Sequence, residues 1–337
     1  MAVGSHLSLE AHEGYVLGRP KIDEMEIRFI LDANTAVANI LSGAVQTTLG
    51  TGLTIEQALE VRDQWREGRM EVGYENWICI YPQFLNPNPL IVADARFRKA
   101  LLIAIDRQAM VDTIQGGLVP LAHSYVRPDE QGFRETEPFV VRYDYDPRRA
   151  AQMVEDLGYR RGSDSVFRDG AGQRLELEVR ASTSPVIHTK AMFPVVDYWQ
   201  RLGLAVEPHA IPVARSADPE YRAGTHSAFE VIRHPNGPTQ AQKLHTFEAP
   251  LAENRFVGRN RGRYMNPEFD GLIDGYVATI PWEPRMQLLG QIVHHISDQL
   301  NVMGLFYDLR TTLVSNRLPN VSGGYPTANA HEWELKS

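Results

Sequence analysis

Disulfide chemistry is missing from this chain, which carries one cysteine, Cys79, with no partner for an internal bridge. Set in Trp77-Ile78-Cys79-Ile80, that thiol fits a buried strand better than a reactive site. No run of about 18 apolar residues offers a membrane span. The start, Met1 to Glu10, lacks the charged-then-apolar order of a signal peptide, so none is expected in this chain. An excess of positive charge is also lacking: the net charge is −8, which excludes a broad phosphate-binding surface, and no nucleic-acid partner is expected. The most basic stretch, Arg255 to Arg263, reads as a solvated loop.

Enzyme signatures are missing as well. There is no G-x-x-x-x-G-K-[ST], no G-x-G-x-x-G after a strand, no H-E-x-x-H and no G-x-S-x-G, so no catalytic residue is assigned. His294 and His295 are adjacent, which on a helix turns them about 100° apart and prevents them from sharing an ion as i and i+4 residues can. His226, His234 and His245 could recruit Glu248, but their spacings match no ligand motif; neither a metal nor a cofactor is expected. Asp144 with Asp146 reads as a helix cap, and Glu176 with Glu178 as a solvated strand face.

What is present is an ordinary globular composition, 43% hydrophobic and 23% charged, over 337 residues, more than one core usually serves. Asp32-Ala33-Asn34 caps a short helix ending at Gly43, and Thr54 with Gln57 forms a capping box for a helix running to Gly68. Tyr74 to Tyr81 reads as a strand. Pro87 and Pro89 make 84–90 an extended connector and the first lobe boundary. Asp94 caps a helix with Phe97, Leu101, Leu102 and Ile105 at helical spacing, and 108–115 extends or follows it. Asp146-Pro147 opens a helix closed by Gly158, and Leu175, Leu177 and Val179 alternate with Glu176, Glu178 and Arg180 as in a half-buried strand. A helix over 188–201, strands over 204–211 and 229–232, and an Asn266-capped helix over 267–277 follow. Met286, Leu289, Ile292, Val293, Ile296 and Leu300 then form one apolar stripe, and 303–307 and 311–314 read as two strands. Alternating elements of this kind predict α/β layering.

The segment Arg98-Lys99-Ala100-Leu101-Leu102-Ile103-Ala104-Ile105-Asp106-Arg107, followed by Gly116-Gly117 and Pro120, resembles the R-x-A-[ILM]-x-x-A-I-D-R helix of the family 5 extracellular solute-binding proteins. Tyr15 to Asp23, Asp32 to Gly43, Tyr145-Asp146-Pro147 to Gly158-Tyr159, Trp199 to Gly203, and Tyr264 to Asp270 resemble further blocks of that family in the same order. The resemblance implies an α/β periplasmic-binding-protein type II fold with two hinged lobes. Lobe one is expected to be incomplete: 1–81 its remnant, 82–304 lobe two, and 305–337 the return to lobe one. It implies the substrate-binding component of a bacterial ABC importer, periplasmic or extracellular, which captures a peptide or similar extended solute in an interlobe cleft and hands it to a membrane permease. The family's N-terminal portion has no counterpart here, so weakened or absent binding by this chain is expected. A hydrolase or a sensory domain on the same fold is the alternative.

The resemblance also implies site residues. His188 stands where peptide-binding members use a histidine, and Arg233 where an arginine meets ligand carboxylates; a helix-capping histidine and a solvated arginine fit the same positions. With His234, Asn236 and Tyr81 they form the expected ligand-binding set. The stretch Arg233 to Thr239 lacks the tryptophan and the aspartate that meets a peptide's ammonium, which admits a neutral or differently charged ligand.

Overall fold

The computed structural model describes residues 5–49, 52–321 and 326–336. Two compact units divide the chain, 1–75 with 309–337 and 76–308. The first opens with an antiparallel ribbon, β1 (His6–Glu10) and β2 (Glu24–Arg28), in which Leu7 faces Ile27 and Leu9 faces Met25. Helix α1 (Ala33–Leu41) starts where the Asp32 side chain accepts from the Thr35 N–H, and α2 (Ile55–Gln64) starts on the reciprocal Thr54–Gln57 box. Ile40, Val61, Trp65 and Leu313 make one small core, and Val314, Leu318, Val321 and Trp333 another. Strand β3 (Gly68–Pro82) leaves this unit and enters the second, beginning well before the strand predicted from Tyr74.

The second unit contains α3 (Ala95–Ile103), α4 (Arg107–Ile114), α5 (Phe133–Thr136) and α6 (Pro147–Asp156), with Asp94, Asp106 and Asp146 capping α3, α4 and α6. A two-stranded turn of β4 (Arg160–Arg161) and β5 (Phe167–Arg168) precedes β6 (Glu176–Ser182), α7 (Ile187–Leu202) and β7 (Ala205–Ile211). The short helices α8 (Val213–Ser216) and α9 (Pro219–Gly224) lead to β8 (Phe229–His234); then come α10 (Pro267–Ala278), capped by Asn266, α11 (Trp282–Gln299) and β9 (Met303–Ser315). The sheet order is β7-β6-β8-β3-β9, with β6 parallel to β7 and β8, and β3 antiparallel to β8.

On α7, Trp199 is fully buried edge-on to Phe229 at 4.9 Å, and its indole N–H donates to the Leu101 carbonyl at 3.0 Å. One tryptophan thus joins the sheet, α7 and the family-like helix α3, with its own indole donor met. The α11 stripe is buried as its periodicity predicts, from Met286 through Leu289, Ile292, Val293 and Ile296 to Leu300.

Three expectations fail, and two of them share a cause. The segments 303–307 and 311–314 are one strand, because Asp308 and its neighbours continue the extended backbone. Arg180, placed by alternation on a solvated face, is 1% exposed. The stretch 255–263 is not simply solvated: Asn260 and Arg263 are buried, and Arg261 grips Glu230 with two hydrogen bonds. In the last two cases a charge distant in sequence pairs with one that looked solvent-facing, and local pattern carries no record of it.

Candidate functional site

Parallel strands β6, β7 and β8 share a carboxyl edge, the side of an open α/β sheet on which ligands characteristically sit. His188 lies there in the first turn of α7, just past the end of β6, and Arg233, His234 and Asn236 lie at and beyond the end of β8. His188, His234 and Asn236 are all buried. Tyr81, on β3, reaches His234 Nδ1 with its hydroxyl at 3.1 Å, the rings meeting edge to face at 5.3 Å.

The register separates the five candidates into two groups. Tyr81 pairs with Glu230 and Trp77 with His234, so pleating places Tyr81, Glu230 and His234 on one face of the sheet and Arg233 on the other, with Ile78, Ile80 and Val231. On that second face Arg233 Nε lies 2.5 Å from Asp308 Oδ2. The arginine's charge is therefore matched within the protein. Asn236 donates its amide to the Tyr125 carbonyl at 2.8 Å, and Tyr125 packs edge-on to Trp77 at 5.4 Å. Asp308 and Tyr125 were not among the sequence candidates; the one usable signal was an aspartate interrupting the apolar run 303–307.

Electrostatically this edge is close to neutral. Burial, and then the neighbouring Arg233, depress the His188 imidazole to about 4. Burial, with Arg261 next, depresses that of His234 to about 3. Burial raises the Tyr81 and Tyr125 hydroxyls well above their usual range, so both remain protonated. Among the described residues, both ring nitrogens of His188, Nε2 of His234, Oδ1 of Asn236 and the Tyr125 hydroxyl have no hydrogen-bond partner. Buried polar groups are nearly always paired, so this edge holds unmet donors and acceptors of neutral type. No group of three or more His, Cys, Asp or Glu side chains among the described residues is placed to hold a metal ion.

The depressed imidazoles have a measurable consequence. His188, His234 and His226, the last also pushed to about 3 by burial and then Arg180, bind protons more weakly when folded than when unfolded. Their contribution to stability is therefore complete above an unfolded value near 6.5 and declines as pH falls towards the folded values. Urea midpoints should be level from about pH 7 to 8 and fall between about pH 6.5 and 4. Imidazole NMR resonances that titrate near 6.5 for all three residues would contradict this.

The model of the bacterial extracellular solute-binding proteins, family 5 Middle, matches residues 1–251. The chain belongs to this family. Relatives of this family 5 chain include heme-binding protein A of Haemophilus influenzae, 23% identical over 293 residues that take in 85% of this chain and 49% of the relative. Another is the oligopeptide-binding protein AppA of Bacillus subtilis, 21% identical over 208 residues, 62% of this chain and 37% of the relative. The chain thus spans at most about half the length of these two relatives. NikA from Brucella suis, solved with Fe(III)-EDTA, superposes on all of this chain and 66% of its own at a TM-score of 0.79 and 14% identity. The fold is that of the type II periplasmic binding proteins. The family and these neighbours are binding proteins, and no helix among the described residues is long and apolar enough to cross a membrane.

Proposed function

We propose that this family 5 chain is the ligand-capturing part of an ABC importer, holding a peptide or similar extended solute without altering it and passing it to a membrane permease from the periplasmic or extracellular side. Its divisions at 75/76 and 308/309 fall within β3 and β9, which supports two lobes joined by two extended crossings. The observation that carries the reading is the unmet, neutral hydrogen-bonding capacity at the carboxyl edge of the sheet. Neutral imidazoles, protonated phenols and an amide oxygen suit peptide groups, which offer a donor and an acceptor at every residue. Arg233, already matched by Asp308, adds no free charge, and no carboxylate stands in 233–239 to meet an ammonium. The reading therefore favours recognition of main-chain amides over recognition of charged ends.

Relatives named for heme and oligopeptides, and a neighbour solved with Fe(III)-EDTA, leave ligand choice to local side chains rather than to the fold. The test is NMR titration with peptides of graded length, free and end-blocked, a method that registers weak binding. Blocked and free peptides should shift resonances around His188, His234 and Asn236 alike, and be recovered intact. His188→Ala should weaken the binding about tenfold, the worth of about 1.4 kcal/mol. Cleavage of the peptides, or binding indifferent to this substitution, would overturn the reading.

A further inference from the structure

On the Glu230 face of the sheet, which Tyr81 and His234 share, four guanidiniums gather around two carboxylates. Arg261 holds Glu230 through two hydrogen bonds, Nη2 to Oε1 at 2.5 Å and Nε to Oε2 at 3.1 Å. Arg180 lies 3.7 Å from the same carboxylate and donates to the Thr225 hydroxyl at 3.0 Å and to the Arg222 carbonyl. Arg222 itself reaches the Ser216 carbonyl, and Arg263 reaches the Ala223 carbonyl at 2.7 Å and Gln83 at 3.3 Å. The second carboxylate, Glu178, is half-buried and accepts from Ser227. Positive charge is left over in a place where uncompensated charge is costly.

A cavity of about 10 Å³, open on part of its boundary, lies within this group, lined by Arg180, Arg222, Arg261 and Glu230 together with the apolar Pro250 and Phe256. Arg180 is 1% exposed, and its Nε has no hydrogen-bond partner among the described residues. Such a space has room for about one group of the size of a water molecule. Its walls combine an unmet N–H donor, surplus positive charge and an apolar side, which together prefer a small monovalent anion to a neutral molecule.

We propose that this cavity is a halide site, occupied by chloride under ordinary conditions, which ties α9 and the 255–263 stretch to the sheet beneath the ligand-binding edge. An ion that binds only the folded chain stabilises it in proportion to the logarithm of its concentration. The thermal midpoint should therefore rise by roughly 3–10 °C between chloride-free gluconate buffer and chloride of equal ionic strength at about a hundred times its dissociation constant. Arg222→Met should abolish that rise while leaving the midpoint in gluconate unchanged or higher, since it removes the surplus charge. Crystals soaked in bromide should show an anomalous peak beside Arg180 Nε; this measurement stands even if the variant does not fold. Equal midpoints in the two salts, or a water molecule with no bromide signal in the cavity, would overturn the assignment.

Discussion

Glu230→Gln should lower unfolding free energy by about 3–5 kcal/mol, the scale on which removing one partner of a buried ion pair strands the others. The residue is 3% exposed, and the guanidiniums of Arg261 and Arg180 would lose the carboxylate that they share. Burial by itself pushes the Glu230 carboxyl up, but Arg261, Arg180 and His226 together outweigh it and hold the group well below the usual carboxylate range. The sign of the pH dependence follows. A depressed carboxyl stabilises the fold fully above its unfolded value of about 4.3, and that stabilisation is lost as pH falls through the lower folded value. This window lies below the one set by the buried imidazoles, so urea midpoints against pH should show two successive declines in the native protein. In the Glu230→Gln variant the lower one should be shallower, the remainder coming from other depressed carboxyls such as Asp94 and Asp298. The double variant Glu230→Gln with Arg261→Gln should be less destabilised than the sum of the single changes, because each removes a charge that the other would leave unpaired. Strict additivity would show that the pair is not coupled.

This cluster also marks where reading the sequence stops. Helix starts were legible because their chemistry is local: Asp94, Asp146 and Asn266 each cap within a few residues of themselves, and Thr54 and Gln57 satisfy one another across one turn. The α11 stripe and the alternation of Leu177 and Val179 were legible for the same reason. Arg180 was not, because the period-two pattern identifies its face of β6 but cannot reveal that Glu230, fifty positions on, lies beside it there as a charge partner. Among the candidate site residues, His188 and Arg233 were reachable by resemblance, while the parity of 229–234 already separates Arg233 from His234 by one pleat. Asp308, which neutralises Arg233, comes from the far end of the chain and leaves only a break in an apolar run as its trace.

Arg98→Met should cost about 3–5 kcal/mol, and the reason bears on what the family-like segment 98–107 does. Arg98 is 2% exposed and has no carboxylate partner among the described residues. Its Nε donates to the carbonyls of Gln299 and Leu300 at 3.1 and 3.2 Å, its Nη2 to Gln299 at 2.6 Å and its Nη1 to Val92 at 2.9 Å, with the guanidinium 4.8 Å over the Phe84 ring. The Gln299 and Leu300 carbonyls stand at the end of α11, where helical partners run out and the macrodipole is negative, and Leu300 turns the chain left-handed at φ 49° without a glycine. Burial lowers the guanidinium only to about 10, so it remains a cation at neutral pH. Methionine would fill the volume and leave three carbonyl groups buried without donors, each costing about 1–3 kcal/mol less whatever relaxation allows water to repair. Lysine keeps the charge but has no planar fork to reach carbonyls in different directions, so Arg98→Lys should recover less than half of the loss. Chemical denaturation of the two variants measures both, and a Lys variant as stable as the native chain would mean that charge at the end of α11, and not the geometry of its capping, is what this arginine supplies.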